Sequence, residues 1–366
     1  MEVRSITFDI VYNEETMKEE VRAMLPEDLG ELRRLYLGFT SARVVLTANN
    51  LGVFDYLKRP LTAAEAAKKL KADHRAMEIL LDALAGIGMI HKGRDGRYRN
   101  SALSNRYLAK GAPHFQGDIV RHASTMWQNF SALDEVVRTG RPARKDFDHE
   151  SFILGMHNLT IFRTEGLIKA IGLRGVKTAL DLGGGPGTNA MAMARQGVRA
   201  TIFDLPATVA IARRVARREG IKGLSFLEGD FHVDDIGSGY DLILISQILH
   251  AFSVRENKAL LARCRNALNP GGRVVIQEFP INDARTAPPQ SALFSVNMLV
   301  GTESGRCYSP REMKTWLRET GFGNLVTKKL PETVVVVGRV KPETQVVHAL
   351  SDGRMKEEKT FAYNSR

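Results

Sequence analysis

The stretch Thr178–Gly187, TALDLGGGPG, constrains this chain more than any other. It begins as a short apolar run, passes through Asp181 and closes in a glycine-dense turn at Gly183, Gly184, Gly185 and Gly187. The residues after it, AMAMARQG, read as a helix ended by Gly197. Strand, glycine turn and helix in this order bring main chain close to a nucleotide-like ligand at the carboxyl end of a strand. Glycine is required because a Cβ holds the backbone away or forbids a positive φ. The first turn of the helix then offers unpaired N–H groups to an anionic group.

The spacing separates two kinds of nucleotide. A G-x-G-x-x-G dinucleotide fingerprint on Gly183 and Gly185 needs a small residue at 188, where Thr188 stands. The better fit is acidic-x-G-x-G-x-G, from Asp181, Gly183, Gly185 and Gly187. It resembles motif I of S-adenosylmethionine-dependent methyltransferases. S-adenosylmethionine has no pyrophosphate; it presents an amino-acid end and a ribose with free hydroxyls. Seventeen residues past Gly187, the run RATIFDLP ends a second strand on Asp204. A carboxylate there can accept both ribose hydroxyls, through charge-assisted bonds of roughly 1.5–3 kcal/mol each. Asp204 also reads as a helix cap ahead of Pro206, since proline favours the first helical turn. A third strand, LSFLEGD, ends on Asp230 and is followed by Phe231. A fourth, YDLILISQ, leads into Ile248, Leu249 and His250.

The whole chain has 366 residues, enough for two domains and a substantial core. It is 43% hydrophobic and 25% charged, an ordinary globular balance. No apolar stretch approaches the roughly 20 residues needed to span a bilayer, so no membrane partner is expected. Glu2 and Asp9 interrupt the start, and no signal peptide is read there. Cys264 and Cys307 lie in unrelated contexts, make no metal or redox motif, and fit a reducing cytoplasm. No metal site is read. The net charge of +11 favours acidic partners. Its densest cluster, Arg213, Arg214, Arg217 and Arg218, falls on one solvent face of the helix after the second strand.

Five segments emerge. Residues 1–31 are a polar extension with one amphipathic helix near Glu15–Leu25. Residues 32–110 read as helix, helix, helix and hairpin, which is a winged-helix order. A break falls near Asn50–Gly52, a Thr62/Glu65 capping box starts one helix, and Asp95-Gly96 turns the hairpin. Winged helices usually read DNA, but the helix near Arg75–Gly86 is apolar and carries Glu78 and Asp82. Phosphate contacts need Lys or Arg on that face, so the domain reads as a dimerisation module with no nucleic-acid partner. Residues 111–175 hold Trp127, Phe130, Phe152, Met156 and His157 and read as a helical connector and lid. The run DFDHE at 146–150 lacks a second ligand cluster and reads as a solvated loop. Residues 176–340 alternate strands with helices, implying a parallel sheet. Caps are expected at Ser253/Glu256 and Ser309/Glu312, and a turn at Pro270-Gly271-Gly272. NLVTKKLPETVVVVGRV closes that segment as a hairpin, and residues 341–366 form a polar tail.

Taken together, these segments resemble the plant-type, metal-independent O-methyltransferases, which include caffeic acid and hydroxyindole methyltransferases and bacterial relatives. The resemblance spans about Leu32–Val340. It implies an α/β fold: a seven-stranded Rossmann-like methyltransferase domain behind an N-terminal winged-helix dimerisation domain, working as a homodimer. It implies S-adenosyl-L-methionine as cofactor, with Asp181, Gly183, Gly185, Gly187, Asp204, Leu205, Asp230, Phe231, Ser246 and Gln247 around it. In the family, the residues matching Asp230 and Phe231 meet the adenine. A histidine after the fourth strand takes the proton of the acceptor hydroxyl, and a carboxylate on the next strand orients it. Here these are His250 and Glu278. Trp127, Phe130, Phe152, Met156, His157, Phe294 and Met298 would meet a flat, apolar acceptor, aromatic or polyketide-like. The chain departs from the family pattern in three places. Ala251 follows the histidine where an acidic residue is common, Ser246 replaces a lysine, and Cys307 replaces a second glutamate, for which Glu303 is a substitute. These departures leave open a member that binds the cofactor for C-methylation or other chemistry, and the winged-helix order leaves open a ligand-sensing DNA-binding regulator.

Overall fold

The computed structural model describes residues 27–143 and 147–341. The helix expected near Glu15–Leu25, Asp146 of DFDHE and the tail beyond Lys341 lie outside the described residues. The chain divides into two compact units after Pro113.

In the first unit, helix α1 (Glu27–Leu51) ends at Gly52, whose φ of +75° breaks it from α2 (Val53–Tyr56). Helix α3 (Ala63–Leu70) starts in the expected box: the Thr62 hydroxyl accepts the Glu65 N–H, and Glu65 accepts the Thr62 N–H. Helix α4 (His74–Gly86) is capped by Asp73 and buries Met77, Leu81 and Leu84. Strands β1 (Ile90–Lys92) and β2 (Tyr98–Asn100) pair antiparallel around Asp95-Gly96, and α5 (Ala102–Tyr107) follows. Two hairpin cations are already paired: Lys92 with Asp82 at 2.7 Å and Arg97 with Glu65 at 2.9 Å.

In the second unit, four helices precede the sheet: α6 (Gly117–Phe130), α7 (Leu133–Thr139), α8 (His149–Thr160) and α9 (Thr164–Ile171). Then strands and helices alternate. They are β3 (Thr178–Leu182), α10 (Thr188–Arg195), β4 (Arg199–Asp204), α11 (Pro206–Arg218), β5 (Leu224–Glu228) and β6 (Tyr240–Ser246). The series continues with α12 (Val254–Ala267), β7 (Leu268–Glu278), α13 (Pro289–Gly301), α14 (Pro310–Glu319), β8 (Gly323–Lys329) and β9 (Val334–Arg339). The seven strands lie in the order β5-β4-β3-β6-β7-β9-β8. The first five run parallel, and β9 is antiparallel to both neighbours, as the expected closing hairpin requires.

Both sheet faces are covered, which explains the continuous apolar strands. Leu242 and Leu244 point into one core with Ala200 and Ile202; Ile243 and Ile245 point into the other with Phe203 and Trp316. Arg213, Arg214, Arg217 and Arg218 are all exposed on α11, opposite its buried Val209, Ala212 and Val215. Boxes at Ser253/Glu256 and Ser309/Glu312 start α12 and α14. The expected turn at Pro270-Gly271-Gly272 is instead an irregularity inside β7. Leu268 already pairs with Tyr240, and the register shifts before Leu242 meets Arg273. Gly271, at φ +75°, absorbs the extra length. Strand β5 likewise stops at Glu228, so Asp230 lies in the turn beyond it.

Candidate active site

The strand order reverses between β4-β3 and β6-β7, and the crevice of such a sheet opens at the carboxyl ends of those strands. The glycine turn lies there. Gly183 has a φ of +65°, and a Cβ on it would stand 2.5 Å from Ile248 Cδ1. Gly187, at φ +78°, caps α10, and a Cβ there would meet Ile202 Cδ1 at 2.4 Å. Side chains at these positions would collide with the packed Ile248 and Ile202.

Asp204 ends β4 with its carboxylate on this turn. It accepts the Gly185 N–H at 2.8 Å and the Leu205 N–H at 2.8 Å. Burial pushes its pKa up, opposed by those donors. The helix cap ahead of Pro206 is Leu205, so Asp204 is not the capping residue. Leu205 itself is half exposed. Beyond β5, Asp230 accepts the His232 N–H at 2.9 Å. Phe231 packs near Gly183, with His232 at 4.7 Å and Phe252 at 5.7 Å. Phe252 and His232 belong to this aromatic group and were not singled out by sequence; both sit beside residues that were. After β6, Gln247 adopts a φ of +59°, and its Nε2 is a buried donor with no partner.

Two residues expected at the cofactor face elsewhere. Asp181 is 1% exposed and accepts the Ala190 N–H at 3.0 Å, inside the start of α10. Desolvation raises its pKa to about 7. It braces the turn from beneath. The Ser246 hydroxyl donates to Gln277 Oε1 at 2.7 Å, a bond within the sheet.

His250 sits in a short 3₁₀ turn, Leu249–Ala251, after β6. Glu278 at the end of β7 holds it twice: Nδ1 is 2.7 Å from Oε2, and the backbone N–H donates to Oε1 at 3.3 Å. A carboxylate on Nδ1 selects the tautomer protonated there and leaves the Nε2 lone pair open. Phe294 meets the ring edge-on at 4.9 Å, and Phe279 stacks at 6.2 Å. Phe279 directly follows Glu278 and went unremarked in sequence. The turn is clamped by Asn257, which donates to Leu249 O at 2.9 Å, and by Tyr308, whose hydroxyl donates to Phe252 O at 2.7 Å. Gly305 packs so closely that a Cβ would sit 2.4 Å from His250 O. Cys307 is buried, with burial pushing its thiol up to about 11, so it stays neutral at physiological pH. Glu303 is exposed and supplies no second buried carboxylate.

The acceptor residues expected from sequence divide. Phe294 reaches His250, and Met298 is buried one turn further along α13. Trp127 and Phe130 are half-buried on α6, which packs against α8 and α13. Met156 is half-buried on α8. Phe152 packs on His122 at 5.0 Å and Phe147 at 5.3 Å. His157 turns away from an acceptor role: it is buried with Nδ1 2.8 Å from Thr188 Oγ1, and burial lowers its pKa. It ties α8 to the first residue of α10. Among the described residues no group of His, Cys, Asp and Glu could hold a metal.

This strand order, with a glycine turn at the switch point and no pyrophosphate spacing, defines the methyltransferase class of α/β fold. An O-methyltransferase domain profile matches residues 135–323, and an O-methyltransferase dimerisation domain profile matches residues 33–110. The chain belongs to the O-methyltransferase family. It is 34% identical to the 3-hydroxy-5-methyl-1-naphthoate 3-O-methyltransferase of Streptomyces sahachiroi, over 85% of this chain and 94% of that one. It is 30% identical to the tetracenomycin polyketide synthesis 8-O-methyl transferase of Streptomyces glaucescens, over 84% and 96%. The crystal structure of human N-acetylserotonin methyltransferase in complex with S-adenosylmethionine superposes with a TM-score of 0.79. That pair is 26% identical and covers 87% of this chain and 99% of the human one. The protein is therefore an S-adenosylmethionine-dependent O-methyltransferase. Neither C-methylation nor DNA-binding regulation finds support. The open space beside Gly185 and the unpaired Gln247 donor fit the cofactor.

Proposed function

We propose that His250 is the general base that removes the proton from an acceptor hydroxyl, with Glu278 orienting it. The observation that carries this is the two-point hold of Glu278 on His250, which leaves Nε2 free. The Glu278 carboxylate holds the ring in place and lies beside the positive charge that the imidazole takes on with the proton. S-adenosylmethionine, when bound, supplies the electrophilic methyl and a positive charge beside the phenolate. Asp204 is proposed to hold the ribose, Asp230 and Phe231 the adenine, and the Gly183–Gly187 turn the amino-acid end, with Gln247 donating and Leu205 contributing apolar surface. The half-buried rings of Phe279 and Phe294 beside His250 displace part of the surrounding water, which strengthens the electrostatic contacts there.

The acceptor we infer is a hydroxylated aromatic, such as a hydroxynaphthoate or a polyketide-derived phenol. Relatives named for these substrates and the Phe279–Phe294 pair at 4.5 Å support a flat ring there. We further infer a homodimer formed through a winged-helix first unit. Leu32, Leu35, Tyr36 and Phe39 on α1 are exposed in the single chain, and the dimerisation profile covers them. Lys92 and Arg97, held by carboxylates, argue against phosphate binding by the hairpin. The cytoplasm is the inferred setting: Cys264 and Cys307 are both buried free thiols. No described helix is long and apolar enough to cross a membrane. The test is a methyl-transfer assay on paired acceptors, each phenol beside its own methyl ether. Turnover of the phenol alone supports the reading. Transfer to ring carbon of the ether would overturn it.

A further inference from the structure

The short turn that carries His250 is held by its main chain as well as by its ring. Glu278 accepts from both, and among the described residues it is the one carboxylate bonded to His250. The rest of the turn hangs on neutral groups from two other elements. Asn257 on α12 donates its Nδ2 to Leu249 O at 2.9 Å and to Phe252 O at 3.3 Å. The Tyr308 hydroxyl, ahead of α14, donates to Phe252 O at 2.7 Å. Between those two carbonyls, His250 O lies against Gly305. A Cβ on Gly305 would stand 2.4 Å from that oxygen and 3.1 Å from the Ala251 carbonyl carbon. Gly305 is itself fixed: its N–H donates to Thr302 Oγ1 at 2.9 Å, and that hydroxyl donates to Met298 O at 2.7 Å, near the end of α13. Residues 302–308 therefore run from the helix of Phe294 and Met298 to the His250 turn and meet the turn at two points.

Asn257 is 0% exposed, and its Oδ1 has no partner. An unmade acceptor bond on a buried amide costs stability, and a leucine of similar size would not carry that cost. Stability alone does not account for this amide; the two carbonyls it holds do. We propose that Asn257 and Tyr308 are positioning residues for His250, and that residue 305 is glycine so that the segment from α13 can seat against the turn. This rests on the reading of His250 as the base. Glu278 selects which ring nitrogen faces the acceptor, and the turn sets where that nitrogen stands. Proton transfer needs the heavy atoms within about 2.6–3.2 Å, and a misplacement of about 1 Å can cost about 100-fold in rate. Loss of either holding group alone leaves no carbonyl bare. Phe252 O keeps the other donor, and Leu249 O keeps the Phe252 N–H at 3.2 Å. Single variants should therefore fold.

The experiment is a double-mutant cycle in the full chain, read as methyl transfer to a hydroxynaphthoate beside calorimetric titration with S-adenosylhomocysteine. Tyr308→Phe and Asn257→Leu should each lower kcat about tenfold, and Gly305→Ala about 100-fold. Acceptor KM and S-adenosylhomocysteine affinity should stay within about twofold of the parent. In a His250→Ala background no base is left to place, so Tyr308→Phe and Asn257→Leu should each cost less than about twofold. Losses of equal size in both backgrounds would show a general structural role and overturn the proposal. Weakened affinity in place of lowered kcat would assign the turn to the cofactor and overturn it as well. Parent kcat in Tyr308→Phe or Asn257→Leu would strike that residue from the proposal, and in both would overturn it. A His250→Ala variant that keeps most of its rate would instead remove the base reading, and the proposal with it.

Discussion

The sheet edge assigned to the cofactor and the helices assigned to the acceptor are held together differently. At the sheet edge, main chain does most of the holding: Gly183 and Gly187 in left-handed conformations, and N–H groups of Gly185 and Leu205 on Asp204. On the acceptor side, side chains hold side chains. Phe294 lies on His250, Phe279 on Phe294, and Phe152 on His122. Main-chain geometry is set by strand order and glycine spacing, so a family can keep it while substrates change. Aromatic packing can be rebuilt one residue at a time, which is how a fixed cofactor site serves different acceptors.

That contrast can be broken at either end. The largest effect short of removing the base should come from Glu278→Gln, which keeps shape and loses charge. We expect kcat to fall roughly 10- to 100-fold with cofactor affinity unchanged. Steady-state kinetics beside calorimetry would show it, and a loss of affinity instead would place Glu278 in the cofactor site. Asp204→Asn should do the reverse: cofactor affinity down about tenfold and kcat at saturation kept. Phe294→Ala should raise the acceptor KM several-fold, about 1 kcal/mol of lost ring contact, and spare the cofactor. An unchanged acceptor KM would move the acceptor away from α13.

The last expectation concerns Asp181 and is read in stability, with no change in activity. Its pKa, raised to about 7 from 3.8, means the folded state holds a proton that the unfolded chain has released over that range. Stability should therefore fall as pH rises from about 4 to 7, and Asp181→Asn should flatten that part of the profile. Denaturant melts at pH 5 and pH 8 would measure it. Equal slopes in both proteins would show that Asp181 ionises freely.

What the sequence made legible follows the same division. Capping boxes at Thr62, Ser253 and Ser309 span four residues each and depend on little else. The pairing of His250 with Glu278 came from the family resemblance, and the adjacent parallel strands β6 and β7, whose carboxyl ends lie side by side, account for it. Direction was not legible. Asp181 and Ser246 stand at the right places in their strands, yet one turns under the glycine turn and the other toward Gln277. His157 read as an acceptor contact, and His149 as part of a solvated loop. One anchors to Thr188 and the other to Thr208, contacts across 31 and 59 residues that no local pattern records. The Pro270-Gly271-Gly272 turn was misplaced for a related reason, since only the pairing of Leu268 with Tyr240 shows the strand beginning before it.

The most direct measurement is made on His250→Ala, with S-adenosylmethionine affinity by calorimetry and turnover of a phenolic acceptor read on the same preparation. We expect turnover to fall about 10²- to 10⁴-fold while affinity stays within about twofold. A variant that keeps most of its rate would contradict general-base catalysis by His250. A variant that loses the cofactor would show that His250 belongs to the other side of the site.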